Sequence, residues 1–215
     1  LNMAHLAVIF QNDEQAFLIN TSTMLFFLAF AIKAAVFPFF FWLPSSYHTP
    51  PVATTAFFAA LLTKVGVYAM IRVFTLFFMQ NPGFWHTLLL VVAGLTMVIG
   101  GMAAASHYEI RRILSFHIIS QIGYMIFGLG IFSPLALAGA IYFMVHNMLA
   151  KTNTFLVAGH IHRLKGTFQL KGIGGLYKSY PLLGILFIIP AFALAGVPPL
   201  SGFFGKLFLI KAGFE

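Results

Sequence analysis

The sequence predicts an all-α integral membrane protein of about six transmembrane helices, two of them broken by proline. Three observations carry this reading. Hydrophobic residues make up 60% of the chain and charged residues 7%, against roughly 25% charged in a soluble domain. Apolar runs of about 20 residues recur, the length a helix needs to cross a hydrocarbon core. The alternating segments of about ten residues that build a lipid-facing barrel are missing, and helices are the other way to satisfy backbone groups in lipid.

The spans follow in order. The first, 16–43, holds Lys33 near mid-depth in "FFLAFAIKAAVFPFFFWLP", with Pro38 five residues later. The second, 51–79, has Lys64 at its middle. The third, 87–105, is uncharged. In the fourth, 113–131, His117, Ser120, Gln121 and Tyr124 recur at i, i+3, i+4 and i+7, which places a polar stripe on one helical face. The fifth, 135–159, carries His146, Asn147 and Lys151. The sixth, 182–211, carries Pro190, Pro198, Pro199 and Lys206. Short connectors with turn chemistry separate them: "SSYHTPP", "QNPGFWH", "SHYEIRR", "FSP" and "GHIHRLKGTFQLKGIGGLYKSYP".

Alternation of the spans puts the loops after spans one, three and five on one side. They hold Arg111, Arg112, Arg163, Lys165, Lys171 and Lys178, whereas segment 1–15, "QNPGFWH" and "FSP" hold no Lys or Arg. The positive-inside rule makes the basic side, with the loops at 106–112 and 160–180, cytoplasmic and the Leu1 end external. Arg72 and Lys211 fall toward the outer face, where they can snorkel. Trp42, Trp85, Tyr47, Tyr108, Tyr177 and Tyr180 near the span ends form the expected aromatic belt. The chain begins at Leu1 without a signal peptide and ends directly after a hydrophobic segment, so it reads as an internal fragment of a longer membrane protein forming a single membrane domain, 1–215.

A net charge of +8 does not indicate nucleic acid, because the basic residues form no aromatic-interleaved patch. The chain has no cysteine, so it offers neither a disulfide nor a thiolate metal site. No metal or cofactor is expected.

An intramembrane lysine costs about 2.5–3.5 kcal/mol on insertion scales, and Lys33, Lys64, Lys151 and Lys206 are all candidates. One reading is snorkelling to the interface. The other is a cation in a polar, hydrated interior, where an amine can load and release a proton. His117 and His146 could each satisfy an interhelical hydrogen bond. Beside the lysines they suit a proton path, since histidine passes protons through its two nitrogens. They could also be the axial pair of a haem, but the buried cations nearby oppose a ferric centre. "HIHR" (His160 to Arg163) resembles a metal site, but its basic neighbours oppose a cation, so it reads as part of the basic loop.

Proline removes a donor and clashes with the carbonyl four residues back. Pro38 therefore frees the Ala34 carbonyl beside Lys33. Pro198 and Pro199 free those of Leu194 and Ala195. With Gly196, Gly202 and Gly205 alongside, "LAGVPPLSGFFGK" reads as an unwound segment, tolerated at membrane depth only inside protein or along a hydrated cavity. Discontinuous helices beside ionisable groups mark ion sites in transporters. A simple kink suits Pro190.

Four stretches resemble the antiporter-like subunits, the superfamily of the large subunits of Mrp-type multisubunit Na+/H+ antiporters and the proton-pumping membrane subunits of respiratory complex I. "KAAVFPFFFWLPSSYHTPPVATTAFFAALLTKVGVYAMIR" resembles their seventh and eighth helices, "EIRRILSFHIISQIGYM" the basic loop and tenth helix, "VHNMLAKTNTFLVAGHIHRLKG" the eleventh, and "LAGVPPLSGFFGKLFLIK" the broken twelfth. Within the superfamily, "RRILSFHIISQIGYM" and "GVPPLSGFFGK" are most similar to the D-type Mrp subunits.

The resemblance implies a fourteen-helix fold with two inverted repeats, of which this chain holds the second and its neighbours. It implies a proton relay in which Lys33 is the central lysine, Lys64 the connecting residue and Lys206 the terminal residue, with a glutamate partner on a helix before Leu1. Many relatives place a histidine four residues before the position of Lys151. Here Asn147 stands there and His146 lies one residue earlier, about 100° around the helix.

The expected function is that of a subunit of a multisubunit Na+/H+ antiporter in a bacterial cell membrane. It is a secondary transporter rather than an enzyme, with other subunits, protons, Na+ and the bilayer as partners. The relay comprises Lys33, Lys64, His117 and Lys206, with Lys151 and His146 beside it, and helix breaks at Pro38, Pro198, Pro199 and Gly202. Two alternatives stand: a proton-translocating subunit of an NADH:quinone oxidoreductase or membrane-bound hydrogenase, and a subunit that only completes an assembly.

Overall fold

The computed structural model describes residues 16–77 and 82–215, with the side chains of residues 16 and 17 excepted. The expectations for 1–15, including the external Leu1 end, lie outside the described residues. The helices are α1 (Ala16–Ala34), α2 (Trp42–His48), α3 (Val52–Leu76), α4 (Pro82–Ala105), α5 (Ile110–Ile131), α6 (Pro134–Lys165), α7 (Leu176–Ser179), α8 (Pro181–Ala195) and α9 (Ser201–Phe214). By length and composition α3, α4 and α5 can each cross a membrane, and Leu18–Ala34 and Pro181–Ala195 are shorter apolar helices.

Local chemistry sets several ends. Pro134 opens α6, and the Ser133 hydroxyl accepts from the Ala136 amide at 3.1 Å, an N-cap. Gly166, at φ +69°, closes it in the left-handed conformation that glycine adopts without strain. The helix therefore runs through "HIHR", which the sequence assigned to a loop. Neither glycine nor proline stands between His160 and Lys165, and His162, Arg163 and Lys165 in the last turn are basic, which suits the negative end of the helix dipole.

The first span is not one helix. α1 stops at Ala34, Ala35 takes φ +60°, the Phe37–Pro38 peptide is cis, and the chain re-enters a helix at Trp42. The sixth span is likewise two helices, α8 and α9, separated at Gly196–Leu200, where Pro198–Pro199 is cis. Pro190 lies inside α8.

α6 is the central element, packed on α3, α5, α8 and α9, while α4 lies along α5 and α1 along α3. Small residues set the closest approaches. Gly100 of α4 leaves no room for a side chain against the Ser120 backbone, nor does Gly66 of α3 against the backbone of Lys33 and Ala34.

The loops after spans one, three and five meet at one end of the bundle. Ile110 N donates to Phe168 O at 3.0 Å and Leu170 N to Tyr108 O at 2.9 Å. Arg111 donates to the Pro50 carbonyl at 3.1 Å and sits 3.9 Å above the Phe168 ring. Arg112 pairs with Glu109 at 3.2 Å.

The aromatic belt is only partly present. Tyr108, Tyr177 and Tyr180 are exposed, but Trp85 and Tyr47 are buried. Trp85 packs on Phe27 and Phe74, and Tyr47 donates to the Phe58 carbonyl at 2.9 Å. Position near a span end does not decide which way a ring turns. Trp42 donates its indole N–H to the Ile32 carbonyl at 2.9 Å, across the break after α1.

Candidate functional site

Five polar side chains from three helices converge where α6 crosses α5 and α9. Lys151 of α6 is completely buried. Its Nζ lies 2.6 Å from His117 Nδ1 and donates to the Leu114 carbonyl at 3.3 Å. This rules out snorkelling for Lys151. On the other side of the imidazole, His117 Nε2 lies 3.2 Å from Gln121 Nε2. Tyr124, one turn further along α5, presents its ring to Lys206, whose Nζ is 5.1 Å from the centroid, a distance at which a cation is attracted to an aromatic face.

Lys206 of α9 donates to the carbonyls of Leu194 and Ala195, both at 2.9 Å. These are the carbonyls that Pro198 and Pro199 leave without an α-helical donor. The ammonium thus bridges the break between α8 and α9 by taking the place of two missing amides. Gly196, at φ +91°, permits this, since a side chain there would crowd the lysine stem.

Lys64 of α3 is also fully buried and donates to Ala59 O of its own helix. It lies within electrostatic reach of Lys151, and Lys206 within reach of both His117 and His146. The polar series therefore runs from α3 through α6 and α5 to α9. The carboxylate side chains among the described residues are Glu109, paired with Arg112 in the loop, and Glu215 at the chain end. The buried lysine amino groups are met by carbonyl oxygens and an imidazole rather than by an opposite charge. Buried charge held in this way is costly, which suits groups that exchange protons better than a fixed scaffold.

The sequence-predicted residues do not all join this series. Lys33 is exposed, and among the described residues it has no hydrogen-bond partner. Phe27, Ala31 and Ala34 form the buried stripe of α1, and Lys33 projects from the opposite face. Its backbone nonetheless lies against Gly66, two residues from Lys64. Ser120 leaves the stripe of α5 and donates to the Met97 carbonyl of α4 at 3.0 Å.

His146 does not face Lys151. Its Nδ1 lies 2.8 Å from Ser201 Oγ at the start of α9, as the 100° offset from Asn147 requires. Asn147 donates to Phe143 O and leaves Oδ1 buried without a partner. Sequence reasoning missed Ser201, whose one signal was its place beside the Pro-Pro break. Gly202 follows and is buried against Ala193 and His146, with no room for a side chain. A cavity of about 340 Å³ between α6 and α8 has a mostly apolar lining, including Leu149, Ile189 and Pro190, with His146, Ser201 and Asn153 as its polar groups.

The family model for NADH:quinone oxidoreductase/Mrp antiporter transmembrane proteins matches residues 1–215. The chain is 53% identical over 214 residues to the D-type subunit of the Na+/H+ antiporter of Alkalihalophilus pseudofirmus and 44% identical to its counterpart in Bacillus subtilis, covering all of this chain and 43% of each relative. It thus spans about two fifths of the length of the curated relatives it matches. Among solved structures it is similar to a chain of the Mrp complex from Dietzia sp., with 36% identity and a TM-score of 0.90 over 99% of this chain and 39% of that one. It is also similar to a chain of respiratory complex I from Thermus thermophilus, with 28% identity and a TM-score of 0.84 over 89% of this chain and 41% of that one.

Proposed function

Because this chain belongs to the NADH:quinone oxidoreductase/Mrp antiporter transmembrane family, a family of multi-pass membrane proteins, we propose that it is the proton-conducting part of a subunit of a multisubunit Na+/H+ antiporter. The observation that carries this reading is the 2.6 Å contact between a fully buried lysine, Lys151, and a histidine on another helix, His117. It is a ready donor–acceptor pair with no counter-ion to hold the proton in place.

The path runs from Lys64 to Lys151, His117 and Lys206, joined by water where side chains do not touch. Lys33 feeds it at the α1 break, and His146 with Ser201 opens it to the cavity between α6 and α8. The proton flow drives sodium export in concert with other subunits. The chain forms one membrane domain, the second inverted repeat, with the end bearing Arg111, Arg163, Lys165, Lys171 and Lys178 facing the bacterial cytoplasm.

The test is Na+-dependent proton flux in vesicles carrying the whole complex. Lys151→Ala and Lys33→Ala each abolish it while the complex still assembles; undiminished flux in the Lys151 variant defeats the reading. The similarity to a chain of complex I supports a second reading, the same relay driven by electron transfer in an NADH:quinone oxidoreductase. Proton uptake on addition of NADH, without Na+, separates the two. Neighbouring genes for NADH dehydrogenase subunits, in place of a cation-antiporter cluster, support the second.

A further inference from the structure

Gln121 is almost fully buried, and its amide nitrogen faces His117 Nε2 at 3.2 Å while Oε1 is left without a partner. Two nitrogens at that distance make a hydrogen bond only if the imidazole Nε2 is the acceptor. The ring proton of a neutral His117 then sits on Nδ1, and Nδ1–H donates to Lys151 Nζ, 2.6 Å away. Nζ can accept only as a neutral amine.

A half-turn of the amide exchanges its O and N and reverses each requirement. Oε1 then accepts from Nε2–H, leaving the Nδ1 lone pair free to accept from a Lys151 ammonium. That turned arrangement also survives the transfer itself. When the proton leaves Nζ for Nδ1, the amine becomes neutral, the imidazole becomes a cation with both nitrogens protonated, and Nε2–H stays bonded to Oε1. The amine-facing arrangement therefore exists only when the Lys151–His117 pair lacks the mobile proton, and the oxygen-facing one accommodates the pair that carries it.

We propose that Gln121 is a positioning residue for the proton path: its side-chain amide turns in step with the arrival and departure of the proton and so selects the His117 tautomer that can receive the next one. This rests on the proton-path reading above. The groups facing the pair are Lys206 on α9, Lys64 on α3 and Tyr124 on α5 itself, while His146 on α6 turns away to Ser201. α4 brings only His86, which stacks on Phe132 at the far end of the helix, and α2 brings Tyr47, bonded to Phe58 O, and His48.

The experiment compares Gln121→Glu and Gln121→Leu in the whole complex, with flux normalised to assembled complex and followed across pH. Glutamate presents oxygen only and adds negative charge, so it holds the proton on the pair, and the pH profile moves to the alkaline side by about one unit. Leucine keeps the bulk and removes both orientations. Its flux falls about tenfold, the scale of one hydrogen bond to a charged group, without that shift.

Wild-type profile and rate in both variants overturn the proposal, as does an equal fall in both with an unmoved profile, the result of a packing role. In either case, a Lys151→Ala variant that remains inactive leaves the proton path standing and sinks only the role of Gln121.

Discussion

Lys206 donates to the Ala195 carbonyl at 2.9 Å, filling the bond that Pro199 cannot make. The ammonium belongs both to the polar series and to the structure of the helix break, so its loss has two consequences. Lys206→Met leaves the Leu194 and Ala195 carbonyls without a partner, at about 1–3 kcal/mol each. The expected outcome is a lower thermal midpoint of the solubilised complex together with lost antiport, read by a thermal-shift assay and vesicle flux on the same preparation.

His117→Phe keeps an aromatic ring of similar size and removes the group facing Lys151 Nζ. Lys151 then retains the Leu114 carbonyl alone in a completely buried site. Losing a buried hydrogen bond to an ionisable group costs about 1.5–3 kcal/mol. The double variant His117→Phe/Lys151→Met, apolar at both positions, is expected to recover much of that stability but none of the flux. A double variant no more stable than His117→Phe alone shows that the two residues are not energetically coupled.

Glycine substitutions in α4 separate packing from propensity. A Cβ on Gly100 would stand 2.9 Å from Ser120 Cα, whereas one on Gly94 meets nothing within 4 Å. Gly100→Ala is expected to destabilise by about 1–3 kcal/mol through overpacking, and Gly94→Ala to be neutral or to stabilise by up to about 1 kcal/mol through helix propensity. Thermal denaturation in detergent checks both.

Arg111→Ala removes the bond to Pro50 O and the contact with the Phe168 ring, the latter about 0.5–2 kcal/mol. The segment after α6 is expected to detach from the end of the bundle. Trypsin should then cleave faster at Lys165 and Lys171, with antiport in uncleaved complexes little changed. Arg111→Lys should protect only partly, since an ammonium lacks the planar fork.

Composition and pattern alone determined the helical membrane class, the approximate spans, both breaks and the carbonyls opened at the second break. Proline acts on its own backbone, and apolar length is set along one chain, so neither needs a neighbour. The common end of the three basic loops was likewise legible from alternation.

Partnerships were decided only by tertiary structure. Lys151 meets His117 across 34 residues of chain, while Lys33, equally central in its span, meets no hydrogen-bond partner among the described residues, and His146 turns to Ser201 rather than to Lys151. These helices are apolar on nearly every face, so the hydrophobic pattern leaves their rotation about their own axes undetermined. Rotation is settled by where backbones can approach: Gly66 against Ala34, Gly100 against Ser120, and Gly202 against Ala193. Those contacts fix how each helix is turned about its axis, and with it which of the lysines meet a partner on another described helix.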